Sequence, residues 1–157
     1  MRKKVDLYGL DAMYNYMDPG SDAALSASIA GAYEKGEPIV AYYWEPTWLS
    51  GKYDLVILED APYDPDKFPN GETAFPSVPL TVCVNPDFKQ KNQEFCEFLS
   101  KYKTSSALTS ESLLYLQDND LDDYTVAAKW FLKEHDELLS QWLSADKADL
   151  VRKALTS

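Results

Sequence analysis

The sequence predicts an α/β fold, in which the strands of a mixed sheet are flanked by helices and followed by an α-helical C-terminal region. Three observations predict it. Short apolar runs bounded by turn residues fall at 38–44, 54–58 and 80–84; a small-residue helical pattern precedes the first; helical periodicity alone follows Lys103. At 157 residues, 45% apolar and 13% aromatic, the chain has the length of one ordinary domain and enough apolar content to bury a core.

From Ser21 to Gly36 the pattern is helical. Ser21 and Asp22 can cap the start, Ala24, Leu25, Ser28, Ile29 and Ala32 recur at three-and-four spacing, and Gly36 can end it. Ile39 to Tyr43 form an apolar run between a Gly-Glu-Pro turn and Pro46, which reads as a buried strand over Pro38 to Trp44. A second strand, Asp54 to Leu58, follows the Ser50-Gly51-Lys52 turn. The prolines between Ala61 and Pro79 then exclude regular structure. A third strand, Leu80 to Val84, leads to Asn85 as helix cap and Pro86 as first helical residue. The next helix carries Phe88, Phe95, Leu99 and Tyr102 on one face, with Cys96 beside it. Further on, Ser110 can cap a helix through Gln117, and Asp122 a long one ending near Leu143. A last amphipathic piece runs from Asp146 to Leu155. In the long helix Tyr124, Ala128, Phe131, His135, Leu138 and Trp142 mark one buried stripe.

Charge excludes one class of partner. A net charge of -11 repels a phosphate backbone, and the basic residues form no cluster beyond Arg2-Lys3-Lys4, so nucleic acid is not expected as a partner. No uncharged apolar window is long enough to span a bilayer, and the opening residues lack the pattern of a secretory signal. Cys83 and Cys96 have no Cys or His at metal-ligand spacing, and both read as small buried apolar residues.

Catalytic chemistry is not signalled. The sole histidine, His135, lies on the apolar stripe and reads as a satisfied core or interface imidazole. There is no Gly-x-Ser-x-Gly elbow. The Gly31–Gly36 pair has phosphate-loop spacing but continues into Glu37-Pro38 where Lys and Ser or Thr are needed. The acidic run from Asp118 to Asp123 lacks the turn glycine of a calcium loop and has Lys129 where a bidentate Glu belongs, so it reads as a solvated helix start. No enzyme activity, catalytic residue, cofactor or metal is expected.

What is present is aromatic concentration. Tyr42, Tyr43, Trp44 and Trp48 bracket Glu45 and Pro46 at the end of the first expected strand, where α/β sheets place ligands. From these residues alone two readings stand: a core strand with a Pro-started helical turn, or a wall that meets a ligand. The second has a definite chemistry. A quaternary ammonium has no N–H to donate, whereas aromatic faces attract a diffuse cation by about 0.5–2 kcal/mol per ring. Glu45 could add a negative field.

The run Lys35-Gly36-Glu37-Pro38-Ile39-Val40-Ala41-Tyr42-Tyr43-Trp44-Glu45-Pro46-Thr47-Trp48 resembles the glycine betaine, proline betaine and choline substrate-binding proteins of ABC importers. Those proteins carry a lysine-glycine-x-proline turn, a strand and a Trp-x-Pro-x-Trp signature. The likeness continues through Asp54 to Glu59, Phe68-Pro69-Asn70-Gly71, Phe75-Pro76, Ala127 to Trp130 and Trp142. It implies part of a type II periplasmic-binding-protein fold. It also implies a binding component for a quaternary-ammonium solute, working with an ABC permease outside the cytoplasm, its export signal not in this chain. By the same likeness Trp44 is one cage wall; Tyr42, Tyr43, Glu45, Pro46 and Trp48 are its supports. Residues 1–58 would be a partial ligand-closing lobe, and 59–157 a hinge plus the C-terminal part of the other lobe. The expectation is an incomplete, C-terminal portion that relies on a missing N-terminal lobe. The alternative is a non-transport interaction module that self-associates.

Overall fold

The computed structural model describes residues 1–156. It is helical over 57% of the chain, with no strand or sheet among the described residues, which overturns the α/β expectation and the mixed sheet of a type II periplasmic-binding-protein fold. The reason is physical. A strand exists only as half of a hydrogen-bonded ladder, and the runs at 38–44, 54–58 and 80–84 take no ladder partner here. Their side chains show it: Val56, Ile57 and Leu80 are more than 80% exposed. Apolar, β-branched composition marked non-helical backbone correctly; pairing was the inference that failed.

The chain divides into two compact units, one of Met1–Trp44 with Tyr53–Pro79, the other of Glu45–Lys52 with everything from Leu80 onward. In the first, α1 (Arg2–Leu7) leads through a short 3₁₀ turn, Leu10–Ala12, to α2 (Asp22–Lys35). The α2 ends are as the sequence reads: the Ser21 hydroxyl accepts from the Ala24 N–H, and Gly36 closes the helix at φ 68°, a left-handed conformation suited to glycine. Few residues of this unit are buried. Ser26, Ile29, Gly71 and Thr73 are, and polar ties supplement them. The Lys4 ammonium donates to the Asp60 carboxylate and to the carbonyls of Gly71 (3.1 Å) and Thr73 (2.6 Å), pinning α1 against the 60–73 loop. That loop was expected to be irregular; it holds one 3₁₀ turn, Phe68–Asn70, which Gly71 ends at φ 84°.

In the second unit α3 (Trp48–Lys52) occupies the position read as a turn. After Asn85, whose side chain caps as expected, α4 (Pro86–Lys91) and α5 (Gln93–Lys101) break at Asn92 in place of one helix. Then come α6 (Ser106–Asp118), α7 (Tyr124–Glu134), α8 (Asp136–Trp142) and α9 (Ala145–Thr156). Ser105 caps α6 instead of Ser110, and Asp123 caps α7 instead of Asp122. The expected long helix breaks at His135. Its stripe survives the break in part: Phe131, Leu138 and Trp142 are buried together, with Phe98, Leu108 and Leu143 packed on them, whereas Tyr124 is 72% exposed. His135 is satisfied as anticipated, its Nε2 lying 2.9 Å from Glu111 Oε2 and its ring against Phe131. The cysteines are both free, but Cys83 is exposed and Cys96 only half-buried, against the expectation of burial.

Candidate ligand-binding site

The aromatic motif divides between the units: Tyr42, Tyr43 and Trp44 belong to the first, Glu45, Pro46 and Trp48 to the second. In the first unit the rings form a run. Tyr43 stacks on Trp44 with centroids 4.4 Å apart, Trp44 faces Tyr42 at 6.5 Å, and Tyr42 meets Phe75 at 4.3 Å. Phe68 continues it at 5.2 Å from Phe75, and Tyr63 at 5.6 Å from Phe68. Offset and tilted pairs at such distances add about 0.5–1.5 kcal/mol each beyond burial. Trp44 nevertheless remains 45% exposed and Tyr42 38%, so the run offers ring surface to solvent instead of closing on itself.

Charged groups flank this run. The Tyr43 hydroxyl donates to Asp22 Oδ1 at 3.2 Å, at the start of α2. Burial pushes the Tyr43 phenol above its ordinary value; a hydrogen bond with Ser26 pulls the other way, and the Asp22 charge adds to the rise. At the Phe75 end the Lys4 ammonium lies 5.9 Å from the ring centroid and 6.0 Å from that of Tyr8. It is already committed to Asp60. Hydrogen bonds from Lys4 and then Tyr8 hold the Asp60 carboxyl below the usual carboxylate range.

The Glu45–Lys52 segment serves a different purpose. The Glu45–Pro46 peptide is cis. Thr47 is buried and its N–H donates to the hydroxyls of Ser50 and Ser110, both at 3.2 Å, while those hydroxyls lie 2.9 Å apart. Leu49 is fully buried, and Gly51 lies so close to α6 that a Cβ would stand 2.7 Å from the Ser110 carbonyl oxygen. Trp48, at the head of α3, is half-buried. Thr47, Ser50 and Gly51 therefore lock α3 onto α6.

Nothing in the local sequence marks Phe75 or Asp22 as neighbours of this ring run. Phe75 was noted only as part of Phe75-Pro76, although a residue before proline is held out of the helical region and so favours a fixed, non-helical ring position. Asp22 was read only as a helix cap. The second unit also has a concavity of about 670 Å³, lined mainly by apolar side chains such as Phe95, Phe98, Tyr102, Phe131, Trp142 and Leu143. It contains none of the expected site residues. Among the described residues no group of three or more His, Cys, Asp or Glu is placed to hold a metal ion.

Comparison with known families places these residues in context. Residues 1–134 match the substrate-binding domain of the ABC-type glycine betaine transport system. The chain belongs to this family. It is a family of transport binding domains, not of enzymes, in agreement with the resemblance read from the Trp44 segment. Among curated proteins the chain is similar to the glycine betaine/carnitine transport binding protein GbuC of Listeria monocytogenes serotype 1/2a (strain 10403S). The two are 24% identical over 135 residues, which make up 86% of this chain and 41% of that protein. The chain thus spans less than half the length of that curated relative. No solved structure gives a significant match. No helix among the described residues is long and apolar enough to cross a membrane.

Proposed function

We propose that this chain supplies part of the binding surface for a quaternary-ammonium solute in an ABC importer, with Trp44 as the principal ligand wall and Tyr42 and Tyr43 beside it. The observation that carries the proposal is the exposed ring run from Tyr43 through Trp44 and Tyr42 to Phe75 in a member of the glycine betaine binding family. A methylated ammonium can lie on such faces without needing a hydrogen-bond acceptor. The chemistry required is binding and release. The working site is extracytoplasmic, the partner is an ABC permease in the membrane, and the ligand class is that of the family. Glu45, Pro46 and Trp48 enter this reading only as the residues that follow Trp44 in the signature.

Two or three rings at about 0.5–2 kcal/mol each sum to about 1–6 kcal/mol, so binding by the chain itself is weak, with a Kd no tighter than about 0.05 mM. Titration with choline and with glycine betaine, followed by tryptophan fluorescence, should show a saturable change that Trp44→Ala abolishes. No response to either solute overturns the proposal. A second reading, an interaction module that self-associates, is favoured by one observation: Val56, Ile57 and Leu58 are exposed in sequence at 82%, 81% and 66%, an apolar segment of the kind that pairs with another chain. Light scattering against concentration tests it, and a monomer at all concentrations rejects it.

A further inference from the structure

The concavity of about 670 Å³ in the second unit belongs to no part of the ring run around Trp44. Residues of α5, α6, α7, α8 and α9 line it, with Tyr102 and Thr104 from the loop after α5. Its floor is core: Leu116, Ala127, Phe131, Leu139 and Trp142 are all buried, whereas Phe95, Tyr102 and Ala128 stand exposed at its edge. Part of the wall, including Leu139, Trp142, Lys147 and Val151, follows residue 134, where the match to the glycine betaine binding domain ends. None of residues 42–48 lines it.

The lining specifies a chemistry. Apolar and aromatic walls between helices are the usual character of small-molecule sites, and the volume lies within their range of about 300–1,000 Å³. At about 30 Å³ per water-sized group, this space suits a compact molecule of about 20 non-hydrogen atoms. Rings supply one wall: Phe95, Phe98, Tyr102 and Trp142 follow one another with centroids 5.8, 6.1 and 4.8 Å apart. The polar groups ask little of an occupant. The Ser112 hydroxyl donates to the Leu108 carbonyl at 3.1 Å, within α6, and among the described residues no buried side-chain nitrogen or oxygen lacks a hydrogen-bond partner. The two charged residues described in the lining, Glu94 and Lys147, are paired with each other. An ionic ligand therefore meets a counter-charge that is already committed, and the net charge of -11 disfavours an anion further.

We infer that this concavity is a second binding site, for a compact, uncharged aromatic molecule, and that the Glu94–Lys147 pair sets its preference against anions. The inference does not depend on Trp44 being a ligand wall.

The test is a fluorescence titration of the whole chain with N-phenyl-1-naphthylamine, a neutral aromatic probe, and with 1-anilinonaphthalene-8-sulfonate, which adds a sulfonate to the same skeleton. Expected is saturation by the neutral probe at a single site per chain, with a Kd of about 10–100 μM. The sulfonate should bind at least about tenfold more weakly. Ala128→Phe places a ring in the lining and should weaken the neutral probe at least about tenfold, whereas Val126→Phe, outside the lining on the same helix, should leave it within about twofold. Thr104→Phe repeats the block from an exposed loop position, which keeps the test decisive where Ala128→Phe fails to fold. Glu94→Gln releases Lys147 and should tighten the sulfonate about threefold. Binding without saturation, binding unchanged in a folded blocking variant, or a sulfonate indifferent to Glu94→Gln overturns the inference. Displacement of the probe by choline, or its loss in Trp44→Ala, also overturns it, by assigning the probe to the ring run. Affinity that falls as the chain is concentrated does so too, because a second copy then occupies the concavity.

Discussion

Two glycines in helices give opposite predictions for the same substitution. Gly31 lies within α2, and a Cβ built there meets nothing within 4 Å. Gly31→Ala should therefore stabilise by up to about 1 kcal/mol, the difference in helix propensity. Gly51 lies in α3, where the new methyl would stand 2.7 Å from the Ser110 carbonyl oxygen, 3.0 Å from its carbon and 3.2 Å from Leu114 Cβ. Two of these atoms are backbone of α6 and cannot swing aside. Overpacking of this kind costs about 1–3 kcal/mol. α3 is one short helix, so the propensity gain offsets at most about 1 kcal/mol. The net is a loss of about 1–2 kcal/mol, or about 2–8 °C in Tm for a chain of this size. Thermal and urea unfolding followed by far-ultraviolet circular dichroism measures both variants. If Gly51→Ala is as stable as Gly31→Ala, α3 does not approach α6 as described and the anchorage of Thr47 and Trp48 fails with it.

Acid should loosen the first unit. The Asp60 carboxyl is held low by Lys4, so its contribution is fully present above the unfolded carboxylate value of about 3.9 and is lost as pH falls through the lower folded value. Hydrogen exchange in α1 should accelerate below that range, and Asp60→Asn should show the faster exchange already at pH 7; equal protection at both pH values would contradict the tie. In the second unit, Leu139→Ala removes a side chain only 2% exposed and should cost about 2–5 kcal/mol, whereas Leu150→Ala, at 64% exposure, should stay within about 0.5 kcal/mol. Denaturant midpoints of the two variants check this, and equal midpoints would show that α8 is not packed as observed.

Legibility in the sequence followed the range of the interactions. Ser21, Gly36 and Asn85 were readable because capping is decided within a few residues. Ser110 misled for the same reason: it has a capping side chain, but its hydroxyl is used by Thr47, 63 residues away. The breaks at Asn92 and His135 were not legible, since apolar spacing continues smoothly across both and tertiary packing decides where the axis turns. The strands failed most plainly. Ile39 to Tyr43 and Leu55 to Leu58 have the composition of strands, but a ladder needs a second segment that composition cannot name. Trp44 stands out in the sequence through its own chemistry and the signature around it. Phe75, 31 positions later, needed the fold to bring it to Tyr42.

The Trp-x-Pro-x-Trp signature is one motif in sequence and two devices in structure. Its first tryptophan, 45% exposed, contributes ring surface beside Tyr42 and Tyr43, whereas the residues after Pro46 build a buried hydroxyl network and a glycine contact against α6. The two roles separate experimentally. Trp44→Ala should abolish the ligand response and also lose the ring pairs with Tyr42 and Tyr43, a cost of about 1–3 kcal/mol. Gly51→Ala acts by overpacking and should lower Tm first. Were Trp44→Ala instead to lower Tm and leave the ligand response intact, Trp44 would be a packing residue and not a ligand wall.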